Sequence, residues 1–572
     1  MTIPTAASRP SVPEQERRGV PIAEPKRIAH IVSVSGSQAV AVLDRAIFDE
    51  MGRRDSRVQI GSLLKISTPT SSVVGLVSAI SSPTPSIDAG SPELGLIEIN
   101  LAGELVADPA TGRLSFRRGV ASLPSLGDAV LIADRHDLTR VYAQPAVPSI
   151  KVGTLYQDPA VPARLLIDEL LAKHFIVVGT TGCGKSSALT CILRRVLEDH
   201  QYAHIVVLDV HNEYPSAFGD QAELIDPGNL HLPIWLLNFQ ELTEALTSAD
   251  SHRDAEAEIL RDAVVVAKRR FVDAGTTRTP TMMRRPLDGG GITVETPTPF
   301  RLSDVVAYID EQLGKLDRVQ ATVPYRRLKN RIETLVGDQR YSFMFGSLTV
   351  QDTMTETLGQ LFRVPSDGRP VTVINLSTVP SEILDVVISV ISRLAFDLAV
   401  WSKGGLPMLL VCEEAHRYAP AGPADKFAPT RQALSRIAKE GRKYGLSLAL
   451  VTQRPSDLDP TVLSQCSTAV AMRLSTERDQ TVMRANTHDG ALDLLDFLPL
   501  LGDREAIVFG QGVAMPMRIR FDDLGKEHAP HNLQAGFSHH WKSPNMDRQQ
   551  LETIIARWRV AGRERTDSGS GR

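Results

Sequence analysis

The chain has 572 residues, of which 42% are hydrophobic and 23% are charged. This ordinary globular composition excludes collagen-like and low-complexity chains, and a net charge of −4 excludes a protein that is basic over its whole surface. Four cysteines without a CxxC pair exclude a disulfide framework and a cysteine zinc site, so we expect a cytoplasmic protein. Its length predicts roughly two to four domains.

The first 148 residues are predicted to contain a tail and a small β domain. Residues 1–25 are rich in Pro, Ser and Arg, lack the apolar segment of a signal peptide, and are expected to be disordered. Residues 26–148 carry short apolar or alternating runs between Gly, Pro, Ser and Asp clusters, a pattern typical of a β-barrel or sandwich. The runs are Arg27–Val34, Gln38–Leu43, Ser72–Ile80 and Ala129–Ala133.

An α/β core is predicted for residues 149–239 and 351–525, because Val-, Ile- and Leu-rich runs alternate there with helical patterns. We expect a largely parallel sheet. Its candidate strands are Phe175–Val178, Ile205–Asp209, Val371–Leu376, Met408–Cys412, Ser447–Val451, Thr468–Arg473 and Glu505–Phe509.

Two further segments complete the predicted organisation. Residues 240–350 form a helical insertion whose basic stretch, Tyr325–Arg331, is interpreted as a solvated face, with contact to DNA as the alternative. Residues 526–572 form a C-terminal extension and flexible tail. The most apolar long run, Ile383–Val400, contains three charged residues and is predicted as a buried helix, so no membrane span is expected.

The most informative motif is Gly179–Ser186, a phosphate loop of the form GxxxxGK[ST] between a predicted strand and a predicted helix. Its backbone N–H groups can surround phosphate oxygens at a helix N-terminus. Lys185 is expected to reach the β- and γ-phosphates of ATP, and the Ser186 hydroxyl to ligate Mg²⁺. The predicted nucleotide contacts are Thr181, Gly182, Cys183, Gly184, Lys185, Ser186 and Ser187.

A second acidic motif separates hydrolysis from phosphate transfer. The apolar run Met408–Cys412 ends in Glu413 and Glu414, the Walker B arrangement. Glu413 is predicted to orient Mg²⁺ through its water shell, and Glu414 to polarise the attacking water.

Other polar strand ends supply further candidates. Gln453 is predicted to sense the γ-phosphate, with an unrelated turn residue as the alternative. Asp209 and Glu213 are interpreted as bordering the nucleotide site and assisting water or Mg²⁺, with a separate metal site or a satisfied strand end as alternatives. Arg442 is the first candidate for an arginine finger given to a neighbouring subunit, although a basic residue there also suits the helix dipole. Its rivals are Arg431, Arg436 and Arg454.

Taken together, these segments resemble the HerA/FtsK group of hexameric P-loop ATPases, and HerA most closely. The resemblance covers about residues 150–525, and the N-terminal part is similar to the HAS-barrel of that family. Two departures are DVHNEY in place of DPHGEY and Cys183 in place of Ser. The words that carry the likeness are HFIVVGTTGCGKS, LDVHNEY, LPIWLLNF, VINLSTVPSEILDVVISVISRLAFD, LLVCEEAHRYAP, RIAKEGRKYGLSLALVTQRPSDLDPTVLSQC and EAIVFGQGVAMPMRIRF.

The resemblance implies that the α/β core is a RecA-like P-loop ATPase sheet. It also implies a homo-hexameric ring that hydrolyses ATP between subunits and moves double-stranded DNA through its pore. It also implies a partner, either a NurA-like nuclease in DNA-end processing or a sirtuin-like or other effector in antiphage defence. Residue by residue, it implies nucleotide and magnesium binding at Lys185 and Ser186, catalysis at Glu414, sensing at Gln453 and a finger at Arg442. Cys183 suggests sensitivity to thiol reagents.

Our leading hypothesis is an ATP-driven DNA translocase or helicase. The alternative is an ATPase scaffold that assembles and gates a nuclease or NAD-degrading effector without processive movement. A conjugation-type or secretion ATPase is a third interpretation, which the expected absence of a membrane anchor weakens.

Overall fold

The structure is a computed structural model, and two compact units, Met1–Gln144 and Pro145–Arg572, divide the chain. The predicted tail at 1–25, most of the Gly- and Pro-rich part of the insertion and most of the C-terminal extension lie outside the described residues. The residues that the structure describes are 27–44, 58–69, 71–82, 95–107, 112, 114–143, 145, 147–248, 250–276, 291–315, 319–346, 350–422, 428–487, 492–525, 527–530 and 547–560.

A closed six-stranded barrel forms the first unit, as the sequence predicts. Its strands follow the order β2-β1-β7-β3-β4-β5, and pairing of β2 with β5 closes it, while β6 extends β5 outside the ring. Alternating apolar side chains, such as Ile28, Ile66 and Val73, fill the interior. The strands are β1 Arg27–Ser35, β2 Gln38–Leu43, β3 Leu63–Ser67, β4 Ser72–Ser81, β5 Leu96–Ala107, β6 Leu114–Arg118 and β7 Ala129–Ile132, followed by helix α1 Arg135–Leu138 and the π turn Thr139–Ala143.

An 11-stranded sheet with helices on both faces forms the second unit. The strands are β8 Ser149–Leu155, β9 Pro162–Leu166, β10 Phe175–Val178, β11 Ile205–Asp209, β12 Ala222–Ile225, β13 Val371–Asn375, β14 Met408–Cys412, β15 Leu446–Thr452, β16 Thr468–Ala471, β17 Glu505–Gly510 and β18 Met517–Phe521. The helices are α2 Ile167–Leu171, α3 Lys185–Asp199, α4 Phe239–Leu246, α5 Arg253–Thr276, α6 Leu302–Leu313, α7 Val319–Gly337, α8 Ser342–Phe345, α9 Met354–Phe362, α10 Ser381–Trp401, α11 Ala428–Glu440, α12 Pro460–Ser464, α13 Glu477–Ala485 and α14 Arg548–Val560.

The order of the strands brings the predicted functional segments to one edge. It is β12-β13-β11-β14-β15-β10-β16-β17-β18-β8-β9. In this spatial order, each strand from β12 as far as β16 is parallel to the next one. From β16 through β17, β18 and β8 to β9, each strand is antiparallel to the next. The prediction of a largely parallel sheet is therefore right for one side of it and wrong for the other. The carboxyl ends of β10, β11, β14 and β15 meet at the same edge.

Connections in the parallel part place the helices on two faces. The chain moves in one direction along the sheet from β10 to β11, and in the opposite direction from β13 to β14 and from β14 to β15. Because such crossovers are right-handed, α3 lies on one face, and α10 and α11 lie on the other. The predicted buried helix is α10, most of whose apolar side chains are buried. No helix in the described part of the chain is long and apolar enough to cross a membrane.

The described part of the insertion is mostly helical, from α4 to α8, and residues 291–301 form a turn and irregular segments before α6. Two basic side chains of α7 are paired within the insertion. Arg327 lies 3.3 Å from the buried carboxylate of Glu256, and Lys329 lies 2.7 Å from Asp310. These pairs hold two basic side chains of the stretch against other helices of the insertion.

Candidate nucleotide site

The phosphate loop joins β10 to α3 at the carboxyl edge. Gly182 and Gly184 have φ angles of +80° and +103°, a region that favours glycine. A Cβ atom at Gly179 would lie 2.6 Å from Cys183 Sγ, so only glycine fits there. No side chain caps the N-terminus of α3, which leaves its first N–H groups available to an anion.

Lys185 and Ser186 begin α3 and point to different partners. Lys185 Nζ donates to the carbonyl oxygen of Thr180 at 3.3 Å. The Ser186 hydroxyl donates to the carboxylate of Glu213. Ser187, also a predicted contact, lies in the same first turn. The Lys185 ammonium and the Ser186 hydroxyl thus lie at the end of the loop, where phosphate and Mg²⁺ would bind.

Asp209, predicted to border the nucleotide site and assist water or Mg²⁺, makes its hydrogen bonds within the turn after β11. Its side chain is fully buried. Its two oxygens accept hydrogen bonds from the backbone N–H groups of Glu213 at 3.0 Å and Tyr214 at 2.9 Å. Asp209 therefore holds the turn after β11, and it is Glu213 on that turn that reaches Ser186. In this structure Asp209 is a positioning residue.

Glu413 and Glu414 follow β14 and are both buried, with exposed fractions of 3% and 7%. Burial and the adjacent carboxylates of Asp209 and Glu213 raise the pKa of Glu413 well above its ordinary value. Burial alone would also raise the pKa of Glu414, but His416 and Lys185 outweigh that effect and lower it. Two neighbouring carboxyl groups are therefore driven to opposite protonation states.

The backbone and a histidine fix Glu414. Its φ of +48° is rare for a residue with a side chain, and such strained residues cluster at functional sites. His416 Nδ1 lies 3.2 Å from the Glu414 carboxylate and 3.0 Å from Thr452 Oγ1 at the end of β15. Glu414 is thus presented as an ionised carboxylate at the edge that carries the phosphate loop.

Gln453 lies directly after β15 and contacts the phosphate loop. Its Oε1 accepts a hydrogen bond from Thr181 Oγ1 at 2.5 Å. A hydrogen bond therefore joins the predicted sensor to a predicted nucleotide contact. This contact is the kind that a γ-phosphate sensor needs, because it links the end of a neighbouring strand to the loop.

Arg442 lies at the opposite edge of the sheet. It is in the 3₁₀ turn Gly441–Tyr444, immediately before β15, and its charge contributes, after burial, to lowering the pKa of His174, which precedes β10. A seven-residue strand spans about 20 Å. Arg442 therefore does not reach the phosphate loop of its own chain.

The three rival arginines are placed differently. Arg436 lies over the ring of Phe396, 4.2 Å from its centroid, and Arg431 donates to the carbonyl oxygen of Gly422 at 2.6 Å. Arg454 follows β15 at the nucleotide edge, where its largely exposed side chain lies 3.8 Å from Asp457. Arg454 therefore lies at the nucleotide edge of its own chain.

Sequence reasoning missed two arginines beside the phosphate loop. The backbone of Arg473, after β16, accepts from Thr180 N at 2.8 Å, and its side chain lies 3.4 Å from Asp503. The backbone of Arg504, before β17, donates to the carbonyl oxygen of Cys183 at 3.3 Å. Arg473 could have been suspected because it ends a predicted strand, but nothing local indicates Arg504.

The residues at this edge fit Mg²⁺, which binds oxygen ligands and keeps several of its waters. The Ser186 hydroxyl faces a carboxylate, and one buried oxygen of Glu413 has no hydrogen-bond partner. No three His, Cys, Asp or Glu side chains in the described ranges group as metal ligands. That finding is compatible with a nucleotide-borne Mg²⁺, most of whose ligands are phosphates and water.

Cys183 is not placed for reaction with thiol reagents, contrary to the expectation from the sequence. Its side chain is fully buried, and burial raises the pKa of its thiol. Reactive cysteines are exposed and have a lowered pKa. Its backbone still takes part in the loop.

Comparison with known proteins shows a likeness to HerA helicases. The family "Helicase HerA, central domain" matches residues 150–395. A probable helicase of Methanocaldococcus jannaschii is 24% identical over 442 residues, covering 75% of this chain and 77% of the relative. The DNA double-strand break repair helicase HerA of Pyrococcus furiosus is 26% identical over 405 residues, covering 65% and 69%. The chain is therefore similar to HerA helicases over most of its length, and residues 150–395 match their central domain. With these relatives and these motifs, it is an ATP-hydrolysing enzyme.

Solved structures are more distant than these relatives. VirB4 of Thermoanaerobacter pseudethanolicus has a TM-score of 0.46 and 15% identity, covering 67% of this chain and 98% of that one. The bacterial conjugative coupling protein TrwB has a TM-score of 0.44 and 14% identity, covering 68% and 92%.

Proposed function

We propose that this ATPase is a DNA translocase that works as a ring of identical subunits, six by the family resemblance. The names of its relatives, helicases of DNA double-strand break repair, support DNA as the substrate. The phosphate loop, Glu414 and Gln453 at one edge of the sheet support hydrolysis as the source of energy. The observation that carries the proposal is the position of Arg442 at the other edge.

The roles of the site residues follow from their contacts. The lowered pKa of Glu414 keeps its carboxylate ionised, so it can accept a proton from the attacking water. Lys185 holds the phosphates, and Gln453, bound to Thr181, reports whether the γ-phosphate is present. Ser186, Glu213 and Glu413 are the residues that would hold Mg²⁺, which when bound neutralises charge on the phosphates.

The separation of Arg442 and the phosphate loop supports a ring. Within one chain the two lie at opposite edges of the sheet. If Arg442 stabilises the transition state, it does so in the site of a neighbouring copy, which is a head-to-tail contact. Head-to-tail contacts form a ring when the rotation from copy to copy closes, and hydrolysis at each interface can then move pore segments along the DNA backbone.

A partner nuclease or defence effector is the part of this proposal that rests on family resemblance alone. Its test is co-purification of the full-length chain with its neighbours in the cell, followed by nuclease and NAD-degradation assays on the complex. Absence of a partner would leave the translocase proposal standing.

The deciding experiment measures the steady-state ATPase rate with and without linear duplex DNA, at low and moderate salt. We expect stimulation by DNA that weakens with salt, since a grip on phosphates releases counterions. Glu414→Gln should lower turnover by about 10²-fold or more while ATP binding persists. A rate that ignores DNA at both salts would contradict the translocase and favour a partner-gated scaffold.

A further inference from the structure

A tryptophan is exposed on the same edge of the sheet as Arg442. Trp401 ends α10 and is 83% exposed, although tryptophan side chains are on average highly buried in folded proteins. The other tryptophan whose side chain the structure describes, Trp235, is 2% exposed. Aromatic residues are enriched where proteins bind other proteins, and Trp is prominent among residues that dominate binding energy.

The turn after Trp401 is packed against the turn that carries Arg442. The backbone N–H groups of Lys403 and Gly404 bond to the carbonyl oxygens at the end of α10, at 3.0 and 3.2 Å. A Cβ atom at Gly404 would lie 3.8 Å from the backbone of Tyr444. The ring of Tyr444 in turn packs edge-on against Phe396 of α10, with centroids 5.9 Å apart. Trp401 and Arg442 therefore belong to one preorganised surface.

We call this the amino-edge surface, formed by Trp401, Lys403, Arg442 and Lys443. All four are exposed. Among the described residues, no carboxylate lies within ion-pair distance of its three cations. The nucleotide edge of a second copy offers the complementary charge, with the ionised carboxylate of Glu414 and the phosphates of its nucleotide.

We infer that the amino-edge surface docks on the nucleotide edge of a second copy of this chain, and that Trp401 is its apolar anchor. This inference rests on the proposed function, which places Arg442 in a neighbour's site. It adds that Trp401, which has no chemical role, determines whether the second copy binds. A tryptophan next to cations also suits nucleic acid, but the acidic site that Arg442 must reach favours the second copy.

The first experiment compares assembly of the full-length wild type, Trp401→Ala and Tyr202→Ala by sedimentation, over a range of protein concentrations with a non-hydrolysable ATP analogue. Tyr202 is a matched control because it is 75% exposed and precedes β11 at the same edge, but follows α3 on the other face. We expect Trp401→Ala to raise the concentration for half-assembly by about tenfold or more. Tyr202→Ala should behave as wild type.

The second experiment measures ATPase rate against protein concentration. Trp401→Ala should lose activity when dilute and recover the wild-type rate when concentrated, because its chemistry is intact. Arg442→Ala should stay inactive at every concentration. Loss of activity in Trp401→Ala that concentration does not restore would overturn its role as an anchor.

The remaining outcomes separate this inference from the proposed function. A wild type that stays monomeric and fully active would overturn both. A wild type that assembles, with Trp401→Ala assembling equally well, would overturn the anchor and leave the ring standing. Normal assembly of Trp401→Ala with weakened binding of duplex DNA would overturn it in favour of a nucleic-acid contact.

Discussion

At the scale of single residues, Asp385 in α10 is a buried acid whose ionisation opposes folding. It is 7% exposed, and one of its oxygens has no hydrogen-bond partner. Burial raises its pKa to about 6; the Thr430 hydroxyl partly offsets this, and the nearby carboxylates of Glu244 and Glu241 add to the rise. It has no part in the nucleotide site, so its effect on stability can be measured separately from activity.

We predict that Asp385→Asn stabilises the protein at neutral pH. An unfolded aspartate releases its proton near pH 4, whereas the folded one retains it up to about pH 6. Its favourable contribution is therefore complete below about pH 4 and is lost as the pH rises to 6, a difference of roughly 2–3 kcal/mol. Denaturant unfolding at pH 4 and pH 8 measures it.

The variant should gain stability at pH 8 and little at pH 4, which flattens the dependence between them. Thr430→Val is the matched control, because it removes the hydroxyl that bonds to Asp385 and should lower stability at both pH values. An equal gain for Asp385→Asn at both values would show that its ionisation is not the cause.

At the scale of elements, a buried ion pair ties α4 to α10. Arg393 donates to Glu241 through Nε and Nη2 at 3.1 and 3.0 Å, and to the carbonyl oxygen of Leu236 at 2.6 Å. Glu241 is fully buried and also accepts from the Ser389 hydroxyl at 2.9 Å. The start of the insertion is thereby fixed to a helix of the ATPase sheet.

We predict that Arg393→Met lowers the free energy of unfolding by about 3–5 kcal/mol, because it leaves the charge of Glu241 buried without a partner. Adding Glu241→Gln should recover part of that loss, since the amide keeps an acceptor and carries no charge. Thermal and denaturant unfolding of the two variants measure the difference. A double variant no more stable than Arg393→Met would mean that lost packing, and not the buried charge, causes the effect.

Elements with a strong local signal could be predicted from the sequence, and elements made by distant pairing could not. β10, β11 and β14 begin and end as predicted, because fully apolar runs bounded by polar residues mark strands covered on both faces. The prediction missed β8, which pairs with β18 more than 350 residues along the chain, and β9, which pairs with β8.

The site was predictable to the same degree. Motif spacing identified Lys185, Glu414 and Gln453, because each follows its own strand. It did not show that Asp209 is tied up by two backbone N–H groups, or that Arg504 reaches the loop. Hydrogen bonds between segments depend on the sheet order, which no local pattern encodes.

At the scale of the whole molecule, the proposed ring makes each active site a composite of two chains. We predict that Arg442→Ala and Glu414→Gln subunits, each inactive alone, regain activity when mixed. A site with a sound carboxylate can then face a sound arginine. In a ring of head-to-tail contacts with equal amounts of each, about a quarter of interfaces would be complete.

ATPase rate against mixing ratio measures this, with a maximum expected near equal amounts. Arg454→Ala replaces Arg442→Ala in the control series. If Arg454 acts within its own chain, its mixture with Glu414→Gln should gain nothing beyond the rates of the two components. A flat profile for Arg442→Ala would indicate that its arginine acts elsewhere or that subunits do not exchange.

The chain enters and leaves the large sheet on neighbouring strands. β8, the first strand, pairs antiparallel with β18, the last in the sheet, so that Gly153 lies opposite Phe521 and Asp522 N donates to Val152 O at 3.0 Å. A Cβ atom at Gly153 would lie 2.1 Å from the backbone of Arg520, so this closure is tight. The start and the end of the ATPase core therefore lie side by side in the sheet. Joining β18 to β8 with a short linker and opening new ends elsewhere should give a circular permutant that keeps the sheet, and whatever precedes β8 or follows β18 can be exchanged without rearranging the strands between them.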